Sequence, residues 1–297
     1  MDQLSDWKKA GRIAGEVLQY GKSLIKPGAS YLEVTEKIEQ KIKELGAEPA
    51  FPPQMSLNDV AAHFTVDPGE DITFKDQLVC LDVGVHVNGA IGDTALTVDL
   101  SGKNEKLVKA SQDALQQAIA IIQRGERSLS IIGKTVQQAI SSQGFLPIRN
   151  LSGHGLSLYD VHDIPTIPNI DTGDKTELQK DGMYAIEPFA SAGAGLIYET
   201  DKANIFSVVE KKPVRSQITR EVLKAIEAYH DLPFTTRWLA KKFPLMKVNF
   251  ALRELQQVGM VRAYPPLIDK NHGLVSQAEH TIIIDKEGKV EILTKVD

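Results

Sequence analysis

Residues 78–98 read LVCLDVGVHVNGAIGDTALTV, two alternating apolar runs on either side of Asn88-Gly89. Asn-Gly between such runs signals a two-residue hairpin, because both turn positions need a positive φ. The turn sets the register: Val87 faces Ala90, Gly84 faces Asp93 and Asp82 faces Ala95. Asp82 and Asp93 then share one face as a diagonal pair roughly 7–8 Å apart at Cα. Leu81, Val83, Val85 and Val87 point the other way, into a core. Gly84 leaves a gap opposite Asp93 that suits an ion or a substrate. Two carboxylates converging on a covered face repel and raise each other's pKa unless a cation neutralises them.

A weak internal repeat supplies two more carboxylates. A shift of 98 lays Ser30, Val34, Ile38, Ile42, Gly46 and Pro49 on Ser128, Ile132, Val136, Ile140, Gly144 and Pro147. These are helix-period apolar positions opened by a serine and closed by a glycine. In each copy an amphipathic helix precedes them, at about residues 5–25 and 104–123. A shift of 105 places Asp82 on Glu187, and a shift of 186 places Asp93 on Glu279. If the halves pack about a two-fold axis, all four carboxylates meet at the centre. One cation is then too little, and two divalent ions about 3.5–4 Å apart are the natural occupants. Oxygen-rich ligation with one imidazole suits manganese, iron, cobalt or zinc.

His154, in the Gly-flanked loop NLSGHGL, is the candidate imidazole. His63 and His162, related by a shift of 99, are placed by the repeat to hydrogen-bond a tetrahedral intermediate or to shuttle protons. His86, His230 and His272 read as structural or surface groups, and His280 as core or as support behind the ligands. Cys80 lies on the Asp82 face but has no neighbouring base, so packing is its expected role.

Asp82 and Asp93 are 11 residues apart and Glu187 and Glu279 are 92 apart, so the second half carries 81 extra residues inside one hairpin-like connection. The expected organisation is a catalytic domain of residues 1–195 and 270–297 with an inserted subdomain at 196–269. From Ser216 to Pro265 the insert reads as three helices and a strand, a winged-helix-like order. Residues 211–262 hold 11 basic and 4 acidic residues, but no predicted helix gathers the basic ones beside base-reading neighbours. A solvated face on a covering subdomain is the expected role.

The chain has 297 residues, 42% of them hydrophobic, and a formal charge of −5, which excludes a disordered protein and a general polyanion binder. A lone cysteine points to a reducing compartment. No apolar run approaches the roughly 18 residues of a membrane span, and the first residues lack a signal-peptide core, so a cytoplasmic protein is expected.

LDVGVHVNGAIGDTALTV, NLSGH, HDIPTIPN, AIEPFA and AEHTIII, in this order and spacing, resemble the methionine aminopeptidases of type 2, in their archaeal, extension-free form. The similarity runs from the first helix to the last strand and includes PAFPP and AAHFT. It implies the pita-bread fold, a pseudo-two-fold α/β (α+β) arrangement also found in creatinase. It implies removal of the initiator methionine from nascent chains whose second residue is small. By carry-over, Asp82, Asp93, His154, Glu187 and Glu279 are the metal ligands of two divalent ions, from among cobalt, manganese, iron, zinc and nickel. A hydroxide bridging them attacks the carbonyl, with Glu187 as general base. His63 and His162 hold the substrate, and Phe51 lines the methionine pocket. Nascent N-termini at the ribosome are the implied partners of a monomer that needs neither DNA nor membrane. The chain departs from the family pattern at Asp163-Ile164 and at Ala278, which bears on the His162 loop and on packing behind Glu279.

Two other readings remain open on the residues. One is an enzyme of the same fold cutting before proline, an Xaa-Pro aminopeptidase or dipeptidase, which usually carries an N-terminal domain for which this chain has no room. The other is a non-catalytic member that binds RNA or protein through the basic insert.

Overall fold

In the computed structural model, which describes residues 3–296, the repeat in sequence becomes a repeat of elements. The first half runs α1 (Gln3–Leu24), α2 (Tyr31–Glu44), β1 (Glu48–Pro49), β2 (Gln54–Leu57), β3 (Val60–Ala62), β4 (Leu78–Val87) and β5 (Ala90–Asp99). The second runs α3 (Glu105–Gln123), α4 (Leu129–Ser141), β6 (Leu146–Pro147), β7 (Ser152–Ser157), β8 (Asp160–Pro168), β9 (Gly182–Ile186) and β10 (Phe189–Ser191). Ser30 caps α2, its hydroxyl accepting from Glu33 N–H, and Ser128 stands at the same place before α4. Each serine also bridges a later segment, Ser30 to Thr73 and Ser128 to Glu177.

The insertion follows as β11 (Ile197–Glu199), β12 (Ile205–Val208), α5 (Gln217–Ile226), β13 (Phe234–Thr235), α6 (Thr236–Ala240), α7 (Leu245–Gln257), β14 (Val261–Tyr264) and β15 (Leu267–Asp269). The chain then closes with β16 (Val275–Gln277), β17 (His280–Ile284) and β18 (Val290–Ile292). The strand after α7 pairs with β12, as does β13, so the helices pack on a small sheet around Phe206, Phe234, Leu252 and Leu255. The ends of the insertion are woven into the catalytic domain: β11 pairs with β15, and β15 with β3. The insert's own core lies within residues 203–263.

Two larger sheets, with a smaller one of order β16-β10-β6 beside them, form the body outside the insertion. β4 carries β5 along one edge and β1 and β2 along the other, while the second sheet runs β18-β17-β9-β7-β8. The first sheet packs on α1 and α2 through Ile13, Val17, Val34, Ile38, Leu81, Val83 and Val85, and the second on α3 and α4 through Ala114, Ile132, Val136, Tyr184 and Ile282. Helices therefore cover the outer faces and leave the inner faces to build a site. The hairpin register is the one its turn demands, Gly84 facing Asp93 and Asp82 facing Ala95, with Asn88 and Gly89 at φ 52° and 89°.

The sheets are zipped together beside the carboxylates. Glu279 N–H donates to Ala95 O, and Thr94 Oγ1 to Glu279 O. Thr281 Oγ1 accepts from Asp93 N–H at 2.9 Å and donates to Asp93 O at 2.8 Å. Replacing Thr281 by Val keeps the shape but strands both buried backbone groups of Asp93, which costs about 3 kcal/mol. A urea titration of Thr281→Val is expected to show that loss as a lower midpoint at unchanged slope.

Candidate metal centre

Strand geometry brings the predicted carboxylates together. Asp82 comes from the middle of β4 and Asp93 from β5; Glu187 follows β9, and Glu279 lies between β16 and β17. All four line one cavity of about 290 Å³, with His154 from β7 and His162 from β8. Asp93, His154 and Glu279 offer ligand atoms within 4.8 Å of one another. His154 Nε2 lies 3.3 Å from Glu187 Oε1 and 4.0 Å from Asp93 Oδ2.

The cluster is electrostatically incomplete as protein alone. Asp82 Oδ1, Asp93 Oδ1 and Glu279 Oε1 are buried without a hydrogen-bond partner, a cost that native interiors rarely leave uncompensated. Burial raises the pKa of Asp82, Asp93 and Glu279 well above the carboxylate range, and the neighbouring carboxylates raise them further. Burial pushes Glu187 up to about 8, against the amide of Gln277, which donates to its Oε2 at 3.2 Å.

His154 sharpens the point. Burial lowers its pKa to about 4, so the ring is neutral at physiological pH and forms no ion pair with Glu187. Its Nδ1 lies 3.2 Å from Gly155 O, and the proton belongs there, because a carbonyl only accepts. Nε2 therefore presents a lone pair to Glu187 and Asp93, whose oxygens also only accept once they are ionised. A cation among them removes the conflict, and the donor set of carboxylates plus one imidazole fits divalent ions.

His63 and His162 face the same cavity and are neutral too. Burial, then His162, brings His63 to about 4; burial, then His154 and Arg262, brings His162 to about 3. The His162 ring meets His154 edge-on at 4.8 Å, and Tyr264 lies 6.0 Å from His162 and 5.4 Å from His63 between ring centres. Phe51 lines the cavity as well, and it corrects one expectation. The space above Gly84 is filled by the Phe51 ring, which a β-carbon at Gly84 would meet at 2.1 Å. The gap opposite Asp93 thus seats an aromatic wall.

The other histidines and the thiol stand elsewhere. His280 Nδ1 pairs with Thr294 Oγ1, His272 Nδ1 with Asp59 Oδ2, and His86 and His230 flank Tyr159. Cys80 is buried against Thr97 and Val275, with its thiol raised to about 11 by burial. Of the departures from the family pattern, Ile164 is 84% exposed and Ala278 is buried in the α3/α4 core, and neither displaces a carboxylate or a histidine from the cavity.

Sequence reasoning missed the contributions of Gln277 and of the insert. Gln277 stands two residues before Glu279, a spacing that could have flagged it. Ile205, Pro233, Arg262 and Tyr264 of the insert also line the cavity, and only Tyr264 in the run YPP carried any local signal.

The chain matches the model of metallopeptidase family M24 over residues 5–231. It is 44% identical to a methionine aminopeptidase of Archaeoglobus fulgidus, over 97% of each chain. It is 42% identical to one of Methanocaldococcus jannaschii, again over 97% of each. Among solved structures, methionine aminopeptidase of Thermotoga maritima superposes with a TM-score of 0.72 at 23% identity, covering 99% of this chain and 97% of that one.

In the metal-free protein the raised carboxylate pKa values mean that folding takes up protons. That stabilisation is complete below the unfolded-state pKa near 4 and is lost as pH rises through the folded-state values, about 8 for Glu187. Bound cations reverse the dependence by displacing those protons. Calorimetric melting at pH 5.5 and pH 8 should therefore show a larger gain in Tm on adding manganese at pH 8, with protons released to the buffer on binding.

Proposed function

The chain belongs to metallopeptidase family M24, and from that membership, its curated relatives and the carboxylate cluster we infer that it is a metal-dependent methionine aminopeptidase. The orphaned oxygens of Asp82, Asp93 and Glu279 around a neutral His154 are the observation that carries the reading. We propose that Asp82, Asp93, His154, Glu187 and Glu279 hold two divalent ions, because one dication leaves much of the charge of four carboxylates uncompensated. Such ions supply the positive charge that brings the pKa of water toward neutrality and polarises a peptide carbonyl.

The chain's own groups do the rest. Gln277 holds Oε2 of Glu187 and so orients a carboxylate placed to take a proton and return it to the departing amine. His63 and His162, neutral and facing the cluster, donate N–H to the carbonyl oxygen and the scissile amide, where charge develops. Phe51, Val161, Ile205 and Pro233 form an apolar wall for the methionine side chain. A cavity of this size favours a small second residue.

The insert between β10 and β16 supports the type 2 subclass. Five of the eleven cations in residues 211–262 are in ion pairs: Lys211 with Asp231, Lys212 with Glu210, Arg237 with Glu39, Lys241 with Glu36 and Lys247 with Glu221. That pattern favours a covering subdomain over a nucleic-acid surface. No helix among the described residues is long and apolar enough to cross a membrane. Nascent chains in the cytoplasm, met by a monomer, are the proposed setting.

The test is methionine released from Met-Ala-Ser against Ala-Pro-Ser, with chelator-stripped protein and added manganese or cobalt. Metal-dependent release of methionine alone is expected. Cleavage of Ala-Pro instead would favour the proline-directed enzyme, and no turnover despite bound metal would favour a binding protein. Glu187→Gln should lower kcat by about 10²–10⁴-fold, and His162→Ala by about 10²–10³-fold.

A further inference from the structure

His63 occupies a conformation that its side chain disfavours. Its φ is 62°, in the left-handed region that residues with a β-carbon rarely adopt. Such a conformation persists only where the surroundings hold it. On one side Gln54 does so, its Oε1 accepting from His63 N–H at 2.6 Å, and Tyr31 donates to Phe64 O at 2.9 Å. Both belong to the catalytic domain.

Further restraints come from the insert, whose Pro265 carbonyl accepts directly from the His63 ring. Asn204 is 8% exposed, and its side-chain Nδ2 donates to Thr65 O, two residues past His63, at 2.7 Å. Its own carbonyl accepts from Thr236 N–H at 3.0 Å, at the start of α6. The next residue, Arg237, is buried and paired with Glu39 of α2, and Trp238 Nε1 donates to the same carboxylate at 2.6 Å. Asn204 is therefore anchored through α6 to the catalytic domain at one end and grips the His63 loop at the other. Its neighbour Ile205 lines the cavity, as does His63. His63 Nδ1 is buried without a partner.

We propose that Asn204 is a positioning residue: through the Thr65 carbonyl it holds the His63 loop, and with it the His63 ring, aimed at the scissile peptide bond. The inserted subdomain thus aligns a catalytic histidine besides covering the site. This rests on the role given to His63 in the proposed reaction.

A purely structural asparagine would lower stability and leave the effect of His63 on turnover untouched. The test is a double-mutant cycle on the metal-loaded enzyme, Asn204→Ala and His63→Ala, each followed by methionine release and by thermal melting. Asn204→Ala alone should lower kcat about 10-fold or more, since small misplacements of an aligned group are costly, with KM changed less than about 2-fold. In the His63→Ala background it should cause no further loss of kcat, while its fall in Tm is the same in both backgrounds. Asn204→Leu, which keeps the volume but has no side-chain N–H to donate, carries the same cycle if the alanine variant does not fold. Equal losses of kcat in both backgrounds, or no loss in either, overturn the proposal while leaving the aminopeptidase reading intact. Unchanged turnover in His63→Ala alone overturns the role of His63 and the proposal with it.

Discussion

Four carboxylates buried around one neutral imidazole are the constraint on which the rest of this molecule depends. Burial alone makes each of them prefer its proton, and their mutual repulsion adds to that preference. A protein without cations gains nothing from such a cluster. The strands that carry the four side chains are nevertheless tied to one another by buried hydrogen bonds through Thr94, Thr97 and Thr281. The fold keeps the repelling groups together, and the positive charge that reconciles them is also what peptide hydrolysis needs.

The surrounding architecture separates tasks between halves and insert. Each half lays a pair of helices on the outer face of its sheet, so apolar burial stabilises the scaffold without entering the site. The inner faces are left for ligands, and the insert closes them from outside with Ile205, Pro233, Arg262 and Tyr264. Desolvation strengthens the electrostatics within and keeps His63 and His162 neutral.

Much of this was legible in the chain because it is written in local chemistry. Asn88-Gly89 dictates a turn, the turn dictates the register, and the register puts Asp82 and Asp93 on one face. The repeat carries that logic to Glu187 and Glu279, whose separation also locates the insert. Other features depend on contacts between distant segments. Gly84 reads as a gap in its own strand, and only the fold brings Phe51 across it. Tyr264 and Ile205 reach the cavity because β12 and β14 pair within the insert and present one edge to the site, a placement no periodicity encodes. Asn204 looks like any loop asparagine until Thr65 is seen beside it.

The central claim is that this cluster is built for two cations. It is tested most directly by anomalous diffraction from crystals loaded with manganese at neutral pH. The account predicts two peaks about 3.5–4 Å apart among the carboxylates of Asp82, Asp93, Glu187 and Glu279, each within ligand distance of some of them, and one also on His154 Nε2. No peak at this site, or a single fully occupied one at saturating metal, would contradict it.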